Sequence, residues 1–499
     1  MNKIFFKIFY YYLIFIAILS QYSFIEPKLK PLRVVAELNI GESQEVKISN
    51  GDIVKLSLLE INEIRDSLRD AIRVAYVKIS VDGEIITLSS GNYNLPIVVG
   101  KVQIDCPIIK EYYSNANRDL WKLKKDARFR LWPKGSSYLQ SGTFVYPVKQ
   151  KWFANMTQIG NEPVYVSGGE DNNNKAIYYH ECIDIGGAEG MDEIVSATDG
   201  LVISAKGEIL KGYEKLKLRR IEAKDGVYIL DKRGWFIRYS HLDSTDPSIK
   251  PGVNVKMGQR IGLMGKQGSS GGYVHLHYAI YIADPVSDEY QSEDAYPYIW
   301  ESYFSQYNPP LLAVARPHHL LLTDQETTLD GKKSKSFAGE IVTYEWIFCD
   351  GTMAKGAVQK KSYERPGVYS EILKVTDSKG NIDYDFTDVL VYDRKNPGKT
   401  IPVIQPAYYP TFNIKPGDPV TFLVRTFNTD VSKEVWDFGD GSVKVEVKSE
   451  TVNKRHPIEG KFAETIHSFS KPGHYIVKVD RSDEAGIKAI AHLHVEVKN

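Results

Sequence analysis

Two short histidine motifs have residue types and spacings that suit metal-assisted hydrolysis. His180 and Asp184 lie four residues apart, and further along the chain His275 and His277 lie two apart. Side chains alternate between the faces of an extended strand, so we expect each pair to share one face, with Cys182 between the first two. Two such strands side by side would gather three or four ligands. Zn²⁺ favours imidazole and carboxylate donors, and a catalytic zinc keeps one position open for water.

Each motif is weak evidence on its own. A histidine and an aspartate four residues apart occur by chance in many chains, and a lone buried histidine is more often a core residue than a ligand. A further histidine, His241, lies between the two motifs in the segment Tyr239-Ser-His-Leu242. Glu181 should alternate to the opposite strand face, which favours a structural role for its carboxylate. The other histidines outside this order are expected to be surface or sandwich residues, and they include His318, His319, His467, His492 and His494.

Glycine-rich segments complete the pattern around these histidines. The segment Gly190-Met-Asp-Glu-Ile-Val-Ser-Ala-Thr-Asp-Gly200 follows the first motif. The segment Pro251-Gly-Val-Asn-Val-Lys-Met-Gly-Gln-Arg-Ile-Gly262 then leads through Gly268-Ser-Ser-Gly-Gly272 to the His-x-His. With its motifs in this order, the region 140–300 resembles the lysostaphin/LytM-like zinc endopeptidases, a family that cleaves peptidoglycan cross-links.

The resemblance implies a role for each histidine of the pattern. It makes His180, Asp184 and His277 the ligands of one zinc per chain, and His241 and His275 the catalytic histidines. Such chemistry is physically consistent, because zinc lowers the pKa of bound water while nearby imidazoles accept its proton and steady the oxyanion.

Cys182 departs from the family pattern, which usually has glycine at that position. A thiol on the ligand face of the strand would ligate the metal, be oxidised or crowd the site, and the sequence leaves these alternatives open.

The composition indicates the elements that must position these residues. A chain of 499 residues predicts three to four folded units, and its 32 tyrosines and 19 phenylalanines favour strands over helices. Equal numbers of basic and acidic residues, 63 of each, make nucleic acid a poor candidate partner. Three widely spaced cysteines exclude a disulfide-stapled scaffold. We therefore predict a mainly β, multidomain protein with an antiparallel β catalytic domain.

The C-terminal third contains a tandem repeat. Trp346-Ile-Phe-Cys-Asp-Gly351 and Trp436-Asp-Phe-Gly-Asp-Gly441 are each followed by Pro-Gly-x-Tyr, after 15 residues in the first copy and 31 in the second. The second copy therefore has a 16-residue insertion, which we expect in a loop. Both copies resemble the polycystic-kidney-disease (PKD) module, a small Ig-like β-sandwich. They contain no candidate metal set, so we expect their removal to leave hydrolysis of a small peptide intact.

The N-terminus is typical of an export signal. Lys3 and Lys7 precede an apolar run over 8–19, which is short for a membrane span and suits a signal peptide over 1–23. An uncleaved anchor is the alternative, and no other stretch approaches the length of a span. The predicted domains after it are a β-rich domain of unknown role over 30–135, the metallopeptidase domain over 140–303, and PKD-like sandwiches over 311–394 and 401–499.

Together these features predict a secreted or cell-envelope zinc endopeptidase. Its expected substrate is a peptidoglycan stem or cross-bridge peptide, or another extracellular peptide, and the PKD-like modules could contact glycan or protein. The alternative is a non-catalytic cell-envelope binding or adhesion protein with a degenerate peptidase domain. Degenerate domains normally lack ligands, and all five functional positions are filled here, which favours the enzyme.

Overall fold

A computed structural model describes residues 29–91, 93–113, 121–154, 163–165, 177–283, 289–452 and 456–499. The predicted signal peptide over 1–23 lies outside the described residues. The described part is mainly strand, with a 3-10 turn at Lys110–Tyr113 and the helix α1 at Tyr296–Tyr307. Within these ranges, no helix is both long and apolar enough to cross a membrane. The predicted mainly β class is confirmed.

The N-terminal region consists of two four-stranded antiparallel sheets around one hydrophobic core. Strand order is β2-β3-β4-β5 in one sheet and β1-β8-β7-β6 in the other. The two faces differ in polarity along β3, where Val54, Leu56 and Leu58 are buried and the residues between them are largely exposed. The strands are β1 (Val34–Leu38), β2 (Ser43–Lys47), β3 (Ile53–Arg65), β4 (Ile72–Val81), β5 (Glu84–Ser89), β6 (Ile97–Val99), β7 (Val102–Ile109) and β8 (Ala127–Pro133).

The middle region is built on a large antiparallel sheet of order β11-β20-β16-β15-β13-β14, with a second sheet of order β12-β19-β17. Strand β20 is central and buried over most of its length, because it pairs with β11 on one side and β16 on the other. The strands are β9 (Pro163–Tyr165), β10 (Ile177–Tyr179), β11 (Ile183–Gly186), β12 (Glu193–Val195), β13 (Gly200–Ala205), β14 (Glu208–Ile209), β15 (Val227–Asp231), β16 (Phe236–Ser240), β17 (Leu242–Thr245), β18 (Asn254–Val255), β19 (Arg260–Met264), β20 (His275–Ala283) and β21 (Tyr290–Glu293).

Buried charges join the N-terminal region to the middle region. The Arg130 guanidinium donates to both oxygens of Asp105, at 3.0 and 2.5 Å, and to Glu293 Oε1 at 3.1 Å. Arg33 donates to the two Glu293 oxygens at 2.6 and 3.0 Å. Burial opposes ionisation of Glu293, but the two arginines outweigh it and lower its pKa to about 2. The docking of these regions therefore depends on an ionised Glu293.

The C-terminal third forms two β-sandwich modules, as the repeat predicts. The motif tryptophans Trp346 and Trp436 are fully buried on corresponding strands. The first module contains β22 (Leu311–Leu312), β23 (His319–Leu322), β24 (Thr327–Asp330), β25 (Lys335–Ser336), β26 (Ile341–Ile347), β27 (Met353–Lys355), β28 (Val358–Lys361), β29 (Gly367–Asp377) and β30 (Ile382–Tyr392). The second contains β31 (Val403–Tyr409), β32 (Val420–Phe427), β33 (Glu434–Asp437), β34 (Val445–Val447), β35 (Ala463–His467), β36 (Gly473–Ser482) and β37 (Lys488–Val497).

The two modules share one sheet. Strand β29 of the first pairs in parallel with β37 of the second at Val368 and Ala489, which makes a nine-stranded sheet with strands from both copies. The expected insertion lies between the motif glycine and β36 of the second module, and it includes a long connection between β34 and β35. We call the part of this connection at 456–462 the inserted loop.

Candidate metal and catalytic site

The register of three neighbouring strands gathers the predicted site. On β11, Asp184 lies opposite His277 of β20, and Gly186 lies opposite His275. On the other side of β20, Ser240 of β16 lies opposite His277, so His241 follows directly from that strand. All five residues predicted to act in catalysis or metal binding thus meet at one end of the sheet, and all are buried.

The predicted extended strand through 180–184 is wrong in its first half. Strand β10 ends at Tyr179 and β11 begins at Ile183, so His180 and Cys182 lie on a bend between two strands. The ladder with β20 runs only from Ile183 to Gly186. Outside this ladder, successive side chains need not point to opposite faces of the sheet. The bend still turns both side chains towards Asp184, so the expected grouping holds for a different local reason.

The candidate ligand atoms lie close together. His180 Nε2 is 3.1 Å from Asp184 Oδ2, and His277 Nδ1 is 3.2 Å from Asp184 Oδ1. Cys182 Sγ lies 3.2 Å from His180 Nε2, 3.4 Å from Asp184 Oδ1 and 3.0 Å from His277 Nδ1. One ligand atom from each of these four residues falls within 4.8 Å of the others.

These separations fit a single tetrahedral metal ion. Metal–ligand bonds of about 2.0–2.3 Å give a tetrahedron whose edges are about 3.3–3.8 Å, close to the observed spacing. Two imidazoles, a carboxylate and a thiol form a donor set that suits zinc. A second group, His241, His275 and His277, also brings its ring nitrogens within 4.8 Å, but it contains no anionic donor. The first group is therefore the better metal site.

Burial sets the charge of the histidines. It lowers the pKa of His180 to about 4 and holds the pKa values of His275 and His277 well below the ordinary value. The guanidinium of Arg238, 3.4 Å from His277 Nε2, adds to the effect on His277. Neutral imidazoles are the form that binds a metal, so burial keeps His180 and His277 ready for ligation near neutral pH.

The two predicted catalytic histidines are oriented by backbone carbonyls. His241 Nδ1 lies 2.7 Å from Gln267 O and 3.1 Å from Asp225 Oδ2, and His275 Nδ1 lies 3.1 Å from Tyr273 O. Because all these partners are acceptors, Nδ1 carries the proton in both rings. The ring centroids are 4.8 Å apart, and His275 Nε2 is 3.4 Å from Asp184 Oδ2, so His275 Nε2 faces the ligand cluster.

His241 is held in an unusual backbone conformation. Its φ of +68° lies in the left-handed region, which costs a non-glycine residue about 1 kcal/mol or more. Its own N–H lies 3.2 Å from Asp225 Oδ2, so the same carboxylate holds both backbone and ring. Burial opposes ionisation of Asp225, but the His241 contacts outweigh it and lower the pKa of Asp225 to about 2.

Sequence reasoning missed two residues of this site. Asp225 lies in an Asp-Gly pair typical of a turn, and nothing in its spacing links it to His241. Arg238 is a single charge in the otherwise apolar and aromatic start of β16, and a charge buried in a strand is a signal that could have identified it. Glu181 is buried and pairs with Arg219, which suits a structural carboxylate.

Comparison with known families matches the region that contains this site to a peptidase family. Residues 178–289 match the family model for peptidase family M23, and residues 307–391 and 408–497 each match a model for the PKD domain. The chain therefore carries an M23 peptidase domain, of a family of metallopeptidases, followed by two PKD domains. The predicted resemblance to such a peptidase family and the assignment of the repeats are confirmed.

Individual relatives cover only parts of the chain. Collagenase ColA of Clostridium perfringens is 34% identical over 83 residues, which are 17% of this chain and 8% of that protein. Among solved structures, the catalytic domain of a mutant of the prophage-encoded M23 protein EnpA from Enterococcus faecalis is 20% identical. That likeness covers 32% of this chain and 93% of that one, with a TM-score of 0.20. The PKD1 domain of the Vibrio cholerae metalloprotease PrtV is 28% identical over 16% of this chain and 93% of its own, with a TM-score of 0.14.

Proposed function

We propose that the protein is a secreted zinc endopeptidase that hydrolyses peptide bonds in peptidoglycan stem or cross-bridge peptides. In this proposal His180, Asp184 and His277 hold one zinc ion, and His241 and His275 transfer protons. The observation that carries it is the meeting of all five side chains at one end of the sheet, with donor separations that fit one ion. An extracellular location agrees with the predicted signal peptide over 1–23 and with the PKD domains.

The metal, when bound, lowers the pKa of a water molecule and polarises the scissile carbonyl. The chain supplies the proton transfers. His275 is neutral, and its Nε2 faces the cluster, so it is suited to accept the proton of the attacking water. Burial lowers the pKa of His241, and the carboxylate of Asp225 beside Nδ1 opposes this lowering and supports the protonated form. We assign His241 to donate a hydrogen bond to the oxyanion and a proton to the leaving amine.

Cys182 belongs to the same metal site in our proposal. Its sulfur lies within hydrogen-bonding distance of a metal-binding atom on each of the three proposed ligands. If a metal were bound by the three ligands, the Cys182 sulfur would be placed to take the further position that a catalytic zinc keeps for water. We propose that the Cys182 sulfur competes with water for the metal, so that the wild type is active and Cys182→Gly keeps or raises that activity.

Cobalt substitution tests this role without relying on activity. The Co²⁺ form of the protein should show sulfur-to-cobalt charge-transfer absorption in the near ultraviolet, and the Cys182→Gly variant should lack that band while still binding one cobalt. The Cys349→Ser variant is the matched control, since Cys349 lies in the first PKD module. Identical spectra for wild type and Cys182→Gly would show that the thiol is not a ligand.

The alternative of a non-catalytic binding domain explains less of the geometry. A domain that only binds needs no pair of histidines with their proton positions fixed by backbone carbonyls, and it needs no carboxylate behind one of them. The direct test combines metal analysis of purified protein with hydrolysis of defined muropeptides. One zinc per chain and cleavage of a peptide bond are expected. A stoichiometric metal without cleavage of any peptide would favour the binding protein.

A further inference from the structure

We propose that the second PKD module is part of the catalytic framework, with Gln405 as a positioning residue for the two catalytic histidines. This inference rests on the proposed function. It concerns the segment 265–274, which connects β19 to β20 and which we call the histidine-support segment. The second module holds this segment in place from the side of β31, β32 and the inserted loop.

The histidine-support segment fixes both catalytic rings. Its Gln267 carbonyl accepts from His241 Nδ1 at 2.7 Å, and its Tyr273 carbonyl accepts from His275 Nδ1 at 3.1 Å. Its Gly265 carbonyl accepts the backbone N–H of His275 at 3.1 Å. A shift of this segment therefore moves the proton-bearing nitrogen of both rings together. Misplacement of about 1 Å in an active site can cost a hundredfold in rate.

Gln405 binds the backbone of the histidine-support segment next to His275. The Val274 N–H donates to Gln405 Oε1 at 3.0 Å, and Gln405 Nε2 donates to the Val274 carbonyl at 3.0 Å. Both residues are buried, so neither backbone group can exchange this partner for bulk water. A primary amide is the side chain that can accept one of these bonds and donate the other. The Gln405 side chain thus makes the two hydrogen bonds that a neighbouring strand would make to Val274, the residue before His275.

Aromatic stacking and the inserted loop add to this contact. The ring of Tyr273 stacks on Phe427 of β32, with centroids 4.1 Å apart and planes 13° from parallel. A Cβ added at Gly272 would clash with the Pro457 carbonyl oxygen of the inserted loop, so only glycine allows this approach. Arg425 holds that loop by donating to Pro457 O at 3.1 Å and to Glu459 O at 2.5 Å.

Part of the contact lies in the stretch between the two motifs, which is longer in the second module than in the first. The 16-residue insertion lengthens the second copy between its two motifs, and Pro457 and Glu459 lie in that stretch. Phe462, at the end of the inserted loop, packs with its ring 5.7 Å from Lys266 Nζ of the histidine-support segment. The inserted loop therefore contacts the histidine-support segment directly.

The test uses Gln405→Leu in the full-length, zinc-loaded chain. Leucine keeps the approximate volume but leaves both Val274 backbone groups without their partner. We expect kcat on a small soluble peptide to fall about tenfold to a hundredfold, with KM changed less than twofold and one zinc retained. The control is Gln359→Leu in the first module, which should keep wild-type kcat. A folded Gln405→Leu protein with wild-type kcat would overturn the inference.

A second variant decides the matter where Gln405→Leu does not fold. Gln405→Glu keeps the acceptor oxygen and, when protonated, a donor as well. Its kcat relative to wild type should rise as pH falls towards the pKa of the new carboxyl group, whereas a merely structural role predicts a constant ratio. A constant ratio would overturn the inference. Absence of peptidase activity in the zinc-loaded wild type would instead refute the proposed function.

Discussion

The two PKD modules have the same sandwich fold but meet the peptidase domain differently. The first rests on α1, where its Phe337 packs against Phe304 and Trp300 at centroid distances of 4.2 and 5.4 Å. The second contacts the histidine-support segment through Gln405 and Phe427. The difference separates a module that packs against a helix from one that, in our proposal, supports the two catalytic histidines.

Lys151 of the peptidase domain binds a side chain from each PKD module. Lys151 Nζ lies 3.0 Å from Asp383 Oδ1 of the first module and 3.0 Å from His494 Nδ1 of the second. Burial lowers the pKa of His494 to about 4, with the Lys151 charge adding to the effect, so this ring is neutral near pH 7 and accepts from the lysine. The two modules therefore differ in which part of the peptidase domain they contact. Both are fixed to that domain through Lys151.

The largest expected effects come from replacing the histidines of the proposed metal and catalytic site. His277→Ala should lose both zinc and activity, while His241→Ala and His275→Ala should keep zinc and lose about a hundredfold or more in kcat. Metal analysis alongside single-turnover kinetics separates the two classes. The control is His474→Ala, outside the cluster in the second module. Loss of metal in the His275→Ala variant would show that the His-x-His pair is assigned in the wrong order.

The N-terminal interface, built on buried charge, should differ from the neutral Gln405 contact in its response to acid. The pKa of Glu293 is about 2 in the folded state against an ordinary 4.5, so its stabilisation is complete above pH 4.5 and is lost as pH falls towards 2. Glu293→Gln should cost about 3–5 kcal/mol at pH 7. Denaturant titrations at pH 7 and pH 3 should show that cost shrinking in acid, and an equal cost at both would contradict the assignment.

Asp225→Asn should separate orientation from charge at His241. The amide keeps the approximate shape of the carboxylate but removes the negative charge that supports a protonated ring, so kcat should fall about tenfold to a hundredfold with zinc retained. The limb of the pH–rate profile that belongs to His241 should move to lower pH, because the Asp225 charge opposes the lowering of its pKa by burial. Asp243→Asn, on the neighbouring strand β17, is a matched control. An unchanged profile would remove Asp225 from the proton-transfer scheme.

Matched phenylalanine variants compare the two modules directly. Phe427→Leu removes the ring that stacks on Tyr273, and Phe337→Leu removes the ring that packs on α1. We expect the first to lower kcat severalfold and the second to lower thermal stability alone, because only the first changes the support of His275. Equal effects on kcat would mean that both modules act on the site only through global stability.

The chemistry of the site could be predicted from the sequence to a large extent, because the ligand types and the period-two spacing of His275 and His277 are local features. The register that pairs Asp184 with His277 agrees with that expectation. The bend at His180 and Cys182 could not be predicted, since it depends on where the ladder with β20 stops. Gln405 could not be identified either, because it reaches Val274 across 131 residues of chain. The expectation that removal of the repeats leaves hydrolysis of a small peptide intact rested on local patterns, which do not include this contact.

The sheet shared by the two modules constrains how this architecture can evolve. Val368 and Ala489 pair directly, and the imidazole of His492 donates to the Ser370 carbonyl at 2.9 Å. Loss of the second copy would leave these backbone groups on β29 without their partners and uncover the adjacent strand edge to other chains. Gene rearrangements that gain or lose single modules would thus be selected against, and the tandem pair is expected to be inherited as a unit.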